Sequence, residues 1–525
     1  MSSITATEEP LERNPEFNEA IRLMEETDQH LFITGKAGTG KSTLLSYFCN
    51  HTAKKPIILA PTGVAALNVK GQTIHKFFHF PVDVTTEKLR SLKIRPRSTS
   101  IYKKLDCIII DEVSMVRADV IDCVDEFLRI YGPVPETPFG GIQMIFVGDL
   151  YQLPPVVGKT EKELFVRYYK TPYFFSAHAF QQVGLEMIEL EKIYRQKDHQ
   201  FITLLNRIRN NSVESEDLAY LTERYQPNYI PPKDSLFIHL TTTNQKADEI
   251  NEAELQALKG KSYEAHASIT GDFGKEYYPT APLLRYKIGA QIMLVNNDPA
   301  GRWVNGSMGT IEGIERDEEE QLFLKVTLEE GGDVVEMYPY SWEVFRFSLV
   351  ESTIVSEPVG TFTQFPFRLA WAVTIHKSQG KTFQRVIIDM ARGAFAAGQV
   401  YVALSRCTSF EGIILTTPIQ KQHIRVDYRI MDFLTTYHYR KSEAAMALPT
   451  KMECIQQAIQ ERALLDMTYL KANDTRSERR VRPLTVGKAS YQGKEYIGMR
   501  GFCLKAQEER MFRVDRILAF EKVEA

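Results

Sequence analysis

The chain has 525 residues, 43% hydrophobic and 25% charged, the composition of a soluble globular protein and too long for one core, so roughly two to four domains are expected. Its 64 lysines and arginines nearly balance 67 aspartates and glutamates, for a net charge of −3; this excludes a globally basic nucleic-acid binder and confines any basic footprint to a local stretch. Six scattered cysteines with no C-x-x-C pair argue against a disulfide framework and a zinc site, and fit free thiols in a reducing cytosol.

The first twenty residues are polar and acidic, without the apolar core of a signal peptide. No stretch is long and apolar enough to span a membrane. Residues 14–26 read as a helix, with Phe17, Ala20, Ile21 and Met24 near helical spacing. The apolar run Leu31-Phe32-Ile33 predicts a buried strand, and GKAGTGKS from Gly35 to Ser42 follows it into a helical pattern. Strand, glycine-rich turn and helix are the context of a P-loop. Gly35, Gly38 and Gly40 let the backbone N–H groups curl toward a phosphate, and the helix adds its positive end. Lys41 is placed to reach β- and γ-phosphates and Ser42 to hold Mg²⁺.

A second short strand at Pro56–Ala60 ends in Pro61-Thr62-Gly63, with a helix to Val69 and then GQTIHKFF. Residues 80–100 break the pattern, carry Lys93, Arg95 and Arg97, and read as an inserted loop or hairpin or as a solvated linker. Cys107-Ile108-Ile109-Ile110 predicts a buried strand that delivers Asp111 and Glu112 at its carboxyl edge, where α/β sheets place ligands. Asp-Glu after a strand is common; behind a P-loop, Asp111 suits the Mg²⁺ shell and Glu112 the polarising of a water. The strand at 143–147 leads to GDLYQLPP, whose Gln152 is either a contact to the γ-phosphate or water, or an ordinary loop amide.

A strand at 185–190 precedes Tyr194-Arg195-Gln196. A second sheet begins near Leu236–Leu240 and runs into TTTN and a helix; Thr243 and Asn244 there serve as N-caps, as phosphate contacts, or as both. Residues 288–337 alternate with turn signals and suggest an all-β insertion. The α/β pattern resumes at Phe367–Ala372, followed by TIHKSQGKT, a strand at 386–389, a helix over 398–406 ending in Ser405-Arg406, and a strand at 413–415. Between Arg476 and Arg516 eleven basic residues face five acids, with Tyr491, Tyr496, Phe502 and Phe512 interleaved. That composition suits anions or single-stranded nucleic acid, or else the charged outer face of a small barrel.

In order, the P-loop, APTGVAAL with GQTIHKFF, IIIDEVSM, GDLYQLPPV, YRQ, TTTN, TIHKSQGKT and YVALSR resemble the Pif1 family of superfamily 1 DNA helicases, related to RecD, over about residues 14–420. The resemblance implies an α/β protein with two RecA-like P-loop motor domains, ATP and Mg²⁺ between them, and 5′-to-3′ translocation on single-stranded DNA with unwinding of tailed or forked duplexes by a monomeric motor. It implies a catalytic set of Lys41, Glu112, Gln152 as γ-phosphate sensor, and Arg195 and Arg406 as arginine fingers. The nucleotide pocket would comprise Asn18, Gly35, Ala37, Gly38, Thr39, Gly40, Lys41, Ser42, Thr43, Gln379 and Gly380, with Ser42 and Asp111 as metal ligands. Asn18 stands where the family often has an adenine-reading glutamine; its shorter amide has less reach. Thr62, Gly63, His75, Thr243, Asn244, His376 and Lys377 would lie along DNA. Residues 80–100 are placed like a strand-separating wedge, and about 288–360 like a small β-barrel insertion.

MTYLKAND, RSERRVRP, KEYIGMRGF and EERMFRVDRI resemble a WYL domain, a small barrel found mostly in bacterial proteins, with the naming triplet altered to Glu495-Tyr496-Ile497. This implies an anion- or nucleic-acid-sensing module with Arg500, Arg510 and Arg513 on its ligand face. The expected organisation is a first motor domain over 1–190, a second over 191–436, a linker over 437–460 and a WYL-like domain over 461–525. The expected setting is a bacterial cytoplasm, on the nucleoid. The competing readings are a single-strand translocase that separates no duplex, and a ligand-sensing nucleic-acid-binding regulator.

Overall fold

The computed structural model describes residues 14–523 apart from 82–83, 97–98, 159–161, 195–197, 233–234, 351–352, 391–395, 472–475 and 492–493. The first lobe is built on a six-stranded sheet in the order Gln72–Thr73, Pro56–Ala60, Cys107–Ile110, Gln143–Val147, His30–Gly35, Leu185–Leu190. Every neighbouring pair runs parallel. Cys107–Ile110 and Gln143–Val147 are buried at every position, because helices cover both faces of such a sheet and strand residues of either parity must be apolar. Gln143 is the exception in its strand. Its amide donates to Leu23 O at 3.1 Å and Gln29 O at 2.9 Å and accepts from Lys54 Nζ at 2.9 Å, so its burial leaves the side chain well partnered.

The helix Pro15–Glu26 starts where Asn14 Oδ1 accepts from Phe17 N at 2.8 Å and proline fills the first turn. Phe17, Leu23 and Met24 pack on Leu31, Ile33 and Leu190, each contributing about 1.5–3 kcal/mol of burial. Among the described residues of 80–100 no strand forms, so the loop reading fits better than the hairpin. They contain the helix Thr86–Arg90, capped by Thr85, with Leu89 buried and Arg90 paired to Glu126 at 2.9 Å. Arg97 lies outside the described residues, whereas Lys93 and Arg95 are exposed.

The second lobe carries a four-stranded parallel sheet, Ala372–Thr374, Ile238–Thr241, Val386–Ile388, Ile413–Leu415. Between its first two strands in sequence lies an antiparallel β-insertion broader than 288–360. A five-stranded sheet orders Val334–Met337, Leu322–Leu328, Met308–Arg316, Gln291–Leu294 and Phe367–Leu369, and a second joins Tyr340–Val350, Thr353–Gln364 and Ser268–Gly271. Phe367–Leu369 therefore closes the insertion rather than opening the motor sheet.

The insertion touches the first lobe at several points. Tyr277 Oη lies 3.0 Å from Thr73 Oγ1, Lys76 Nζ is 3.4 Å from Asp272, and Asn305 Nδ2 donates to Asn68 Oδ1 at 2.9 Å. Gly63 is buried, and a Cβ there would sit 2.2 Å from Glu276 O. Its lack of a side chain thus has a packing cause independent of any nucleic acid. Gly63→Ala should destabilise the protein by about 1–3 kcal/mol through this clash, read as a lower denaturation midpoint. Unchanged stability with weakened DNA binding would instead assign the position to DNA.

A separate compact unit comprises residues 206–214 and 426–525. Its sheet orders Glu508–Arg513, Lys494–Cys503, Arg476–Tyr491, Leu464–Leu470 and Ile517–Val523, all antiparallel. The expected linker helix over 437–460 falls on two helices, Tyr428–Ala445 and Leu448–Gln460. The second places Ile455 and Ala458 in the core with Leu465, Met467, Val481 and Phe512. Helix and sheet each have one apolar face, and the small sheet needs the helix to cover its own.

Candidate functional site

A cleft of about 850 Å³ is lined from the first lobe by Asn14, Phe17, Ala37, Gly38, Thr39, Gly40, Lys41, Ser42, Thr43, Glu112, Gln152, Leu190 and Tyr194, and from the second by Gly380, Thr382 and Arg406. The P-loop curls because Gly38 and Gly40 adopt φ of +79° and +84°, a left-handed backbone open to glycine at little cost. Gly40 is the N-cap of the helix Lys41–His51 and offers no side-chain cap. The unsatisfied N–H groups and dipole of that helix end therefore face the cleft. Lys41 Nζ folds back to donate to Gly35 O at 2.7 Å and Lys36 O at 2.9 Å.

Asp111 follows the strand Cys107–Ile110, and its Oδ1 accepts from Glu112 N at 2.8 Å. Burial raises the Asp111 carboxyl above its ordinary range, against the pull of Lys41. Glu112 is raised by burial and then by the Asp111 charge, while Lys41, Arg406 and a bond from Gln379 oppose the shift. Glu112 itself sits at φ 50°, ψ 41°, a left-handed conformation that a glutamate adopts under strain. Gln379 Nε2 donates to Glu112 Oε2 at 3.1 Å and to Gln152 Oε1 at 2.9 Å, from the opposite lobe.

Arg406 is 1% exposed. Its Nε donates to Val402 O at 3.0 Å, one terminal nitrogen to Lys381 O at 3.2 Å and Ser378 O at 3.4 Å, and the other to Ser405 Oγ at 3.0 Å. The guanidinium lines the cleft from a seat inside its own lobe. Arg195 lies outside the described residues.

Asn18 is not among the residues that line the cleft. It is exposed on the helix Pro15–Glu26, one position past the buried Phe17. The asparagine lining the cleft is Asn14, the N-cap of that helix. Sequence reasoning also missed Tyr401, whose hydroxyl accepts from Ala37 N at 3.1 Å and reaches Asp149 Oδ2 at 3.3 Å. The only available signal was its place in YVALSR beside Arg406.

The residues expected along DNA are spread over both lobes. Thr62 caps the helix Gly63–Asn68; Thr243 caps the helix Asn244–Ala257, as read from the sequence, and Asn244 is that helix's first residue rather than its cap. Asn244, His376 and Lys377 are exposed, and His75 is half-buried edge-on to Phe80. In the C-terminal unit, strand register separates the three expected arginines. Arg500 pairs opposite Met511, so it shares a face with Arg513. Arg510 has the parity of the buried Phe512 and lies on the other face, paired to Glu508. Arg513 is bonded to Asp515 at 2.5 Å and stands 5.4 Å from the Tyr496 ring.

A P-loop facing a second parallel-sheet lobe across a cleft, with an arginine from that lobe in its wall, defines a two-lobed nucleoside-triphosphatase motor. Residues 13–218 match the PIF1-like helicase family and residues 450–522 the WYL domain. The ATP-dependent DNA helicase Pif1 of Bdellovibrio bacteriovorus is 30% identical over 434 residues, covering 81% of this chain and 92% of that protein. The crystal structure of Bacteroides sp Pif1 with ADP-AlF4 superposes with TM-score 0.75 at 36% identity, covering 81% of this chain and 96% of that one. Bacteroides Pif1 bound to single-stranded DNA gives TM-score 0.58 at 35% identity, covering 81% and 96%. The chain belongs to the Pif1 helicase family and carries a C-terminal WYL domain. Among the described residues no helix is long and apolar enough to cross a membrane.

Proposed function

We propose that the chain is an ATP-driven DNA helicase that moves 5′-to-3′ along single-stranded DNA and separates the duplex ahead, with the WYL domain as a regulatory nucleic-acid- or ligand-binding module acting in a bacterial cytoplasm. The observation that carries this is the shared cleft: Lys41 and the P-loop on one wall, Gly380, Thr382 and Arg406 on the other. On this reading the phosphates draw Lys41 Nζ off the loop carbonyls of Gly35 and Lys36. Ser42 and Asp111 supply the hard oxygens that Mg²⁺ takes alongside phosphates and waters. The ion, when bound, neutralises charge on the β- and γ-phosphates. Glu112 orients the attacking water, and Gln152 meets the γ-phosphate. Arg406, with Arg195 by motif alone, stabilises the charge that builds on the transferred group. Because Arg406 comes from across the cleft, hydrolysis requires closure, and closure is what moves the lobes along a strand.

The direct test compares 5′-tailed and 3′-tailed duplexes with ATP. Unwinding of the 5′-tailed substrate alone is expected. Strand separation from the 3′ tail would refute the polarity. ATP turnover with DNA but no separation of either duplex would favour a pure translocase.

A further inference from the structure

We propose that Gln379 is a positioning residue for the attacking water, fixing from the second lobe the hydrogen-bond polarity of Gln152 and Glu112 on the first. The proposal rests on the ATPase reading above and deepens it.

A glutamine amide has two N–H donors and one carbonyl acceptor. Both donors of Gln379 are spent, one on Glu112 Oε2 at 3.1 Å and one on Gln152 Oε1 at 2.9 Å. Two consequences follow from donor and acceptor counting. Gln152 lines the cleft with its carbonyl already occupied, so its Nε2 is the end left for an incoming group. A donor is what a γ-phosphate oxygen requires, and the flipped amide would present an acceptor to an anion. Glu112 receives a donor on one oxygen, which favours the charged carboxylate and leaves the other oxygen to take a proton from water.

The third observation is that Gln379 Oε1 is buried and makes no hydrogen bond. A buried carbonyl without a partner is unfavourable unless something arrives to fill it. A water that gives one proton to Glu112 has a second O–H to place, and the orphan carbonyl beside Glu112 accepts it. The turn carrying Gln379 is itself built for presentation: Ser378 N donates to Thr374 O at 3.0 Å, and Gly380 takes φ +80°. Gln379 therefore completes the water site only when the two lobes meet.

The test uses the full-length protein. Gln379→Glu keeps shape and size but converts both donors to acceptors, so Gln152 must turn its nitrogen inward and Glu112 faces a like charge. With single-stranded DNA present, kcat should fall about 100-fold, with KM for ATP within about threefold. ADP alone should bind as to the natural protein, while the affinity gained on adding aluminium fluoride should disappear. Gln379→Ala should also lose that gain, and combining it with Gln152→Ala should cost little more than either alone. Turnover of Gln379→Glu within threefold of the natural protein, or ADP affinity falling in step with kcat, would overturn the proposal. A natural protein that binds DNA yet hydrolyses no ATP would instead sink the ATPase reading on which it rests.

Discussion

Replacing Lys41 with alanine is expected to lower DNA-stimulated ATP hydrolysis by about 10³-fold or more and to abolish unwinding of a 5′-tailed duplex. The Lys41 ammonium lines the cleft and offsets the two carboxyls of Asp111 and Glu112. Without it those acids lose a counter-charge in a buried setting, and the bound phosphates would lose a cation at the P-loop. The Gly35 and Lys36 carbonyls also lose their donor, a stability cost of about 1 kcal/mol each at most, since water can replace it. Phosphate-release kinetics on folded protein measure the loss. A variant that still unwinds would show that the triphosphate is not handled where the P-loop lies.

The second large effect is expected at Arg406, and the structure dictates how to look for it. Alanine would strip partners from the carbonyls of Val402, Ser378 and Lys381 and from Ser405 Oγ, so it should destabilise the protein by roughly 2–4 kcal/mol as well as silence it. Arg406→Lys keeps charge and most of the volume but cannot reproduce the planar fork. It should cut kcat by about 10³-fold, the scale of an arginine finger, with ADP affinity within about threefold and the melting temperature nearly kept. If the lysine variant lost nucleotide binding in proportion to turnover, Arg406 would be a wall of the pocket rather than a transition-state contact.

Much of the motor could be read directly from the residues. Buried parallel strands announce themselves as unbroken apolar runs, so Cys107–Ile110 and the residues Asp111 and Glu112 behind it were placed from sequence. The P-loop was legible because its glycines are needed for a particular backbone path. What sequence could not supply were facts of long-range register. Whether Asn14 or Asn18 meets the cleft depends on a helix's rotation about its axis. Whether Arg510 joins Arg500 depends on strand pairing within the last sheet. The helix at 448–460 read as a linker helix because its polar residues dominate composition, while a few apolar residues, Ile455 and Ala458 among them, carry its packing. Gly63 shows a different limit. The motif marked it, but the reason on view is the Glu276 carbonyl over two hundred positions away.

Glu112 holds a backbone angle that a residue with a side chain adopts at a penalty of about 1–2 kcal/mol. The loop is thus pinned in an uncomfortable pose. Glycine at that position would relax the loop and delete the acid in one stroke. Such a variant should outlast its parent in a heating ramp while doing no mechanical work.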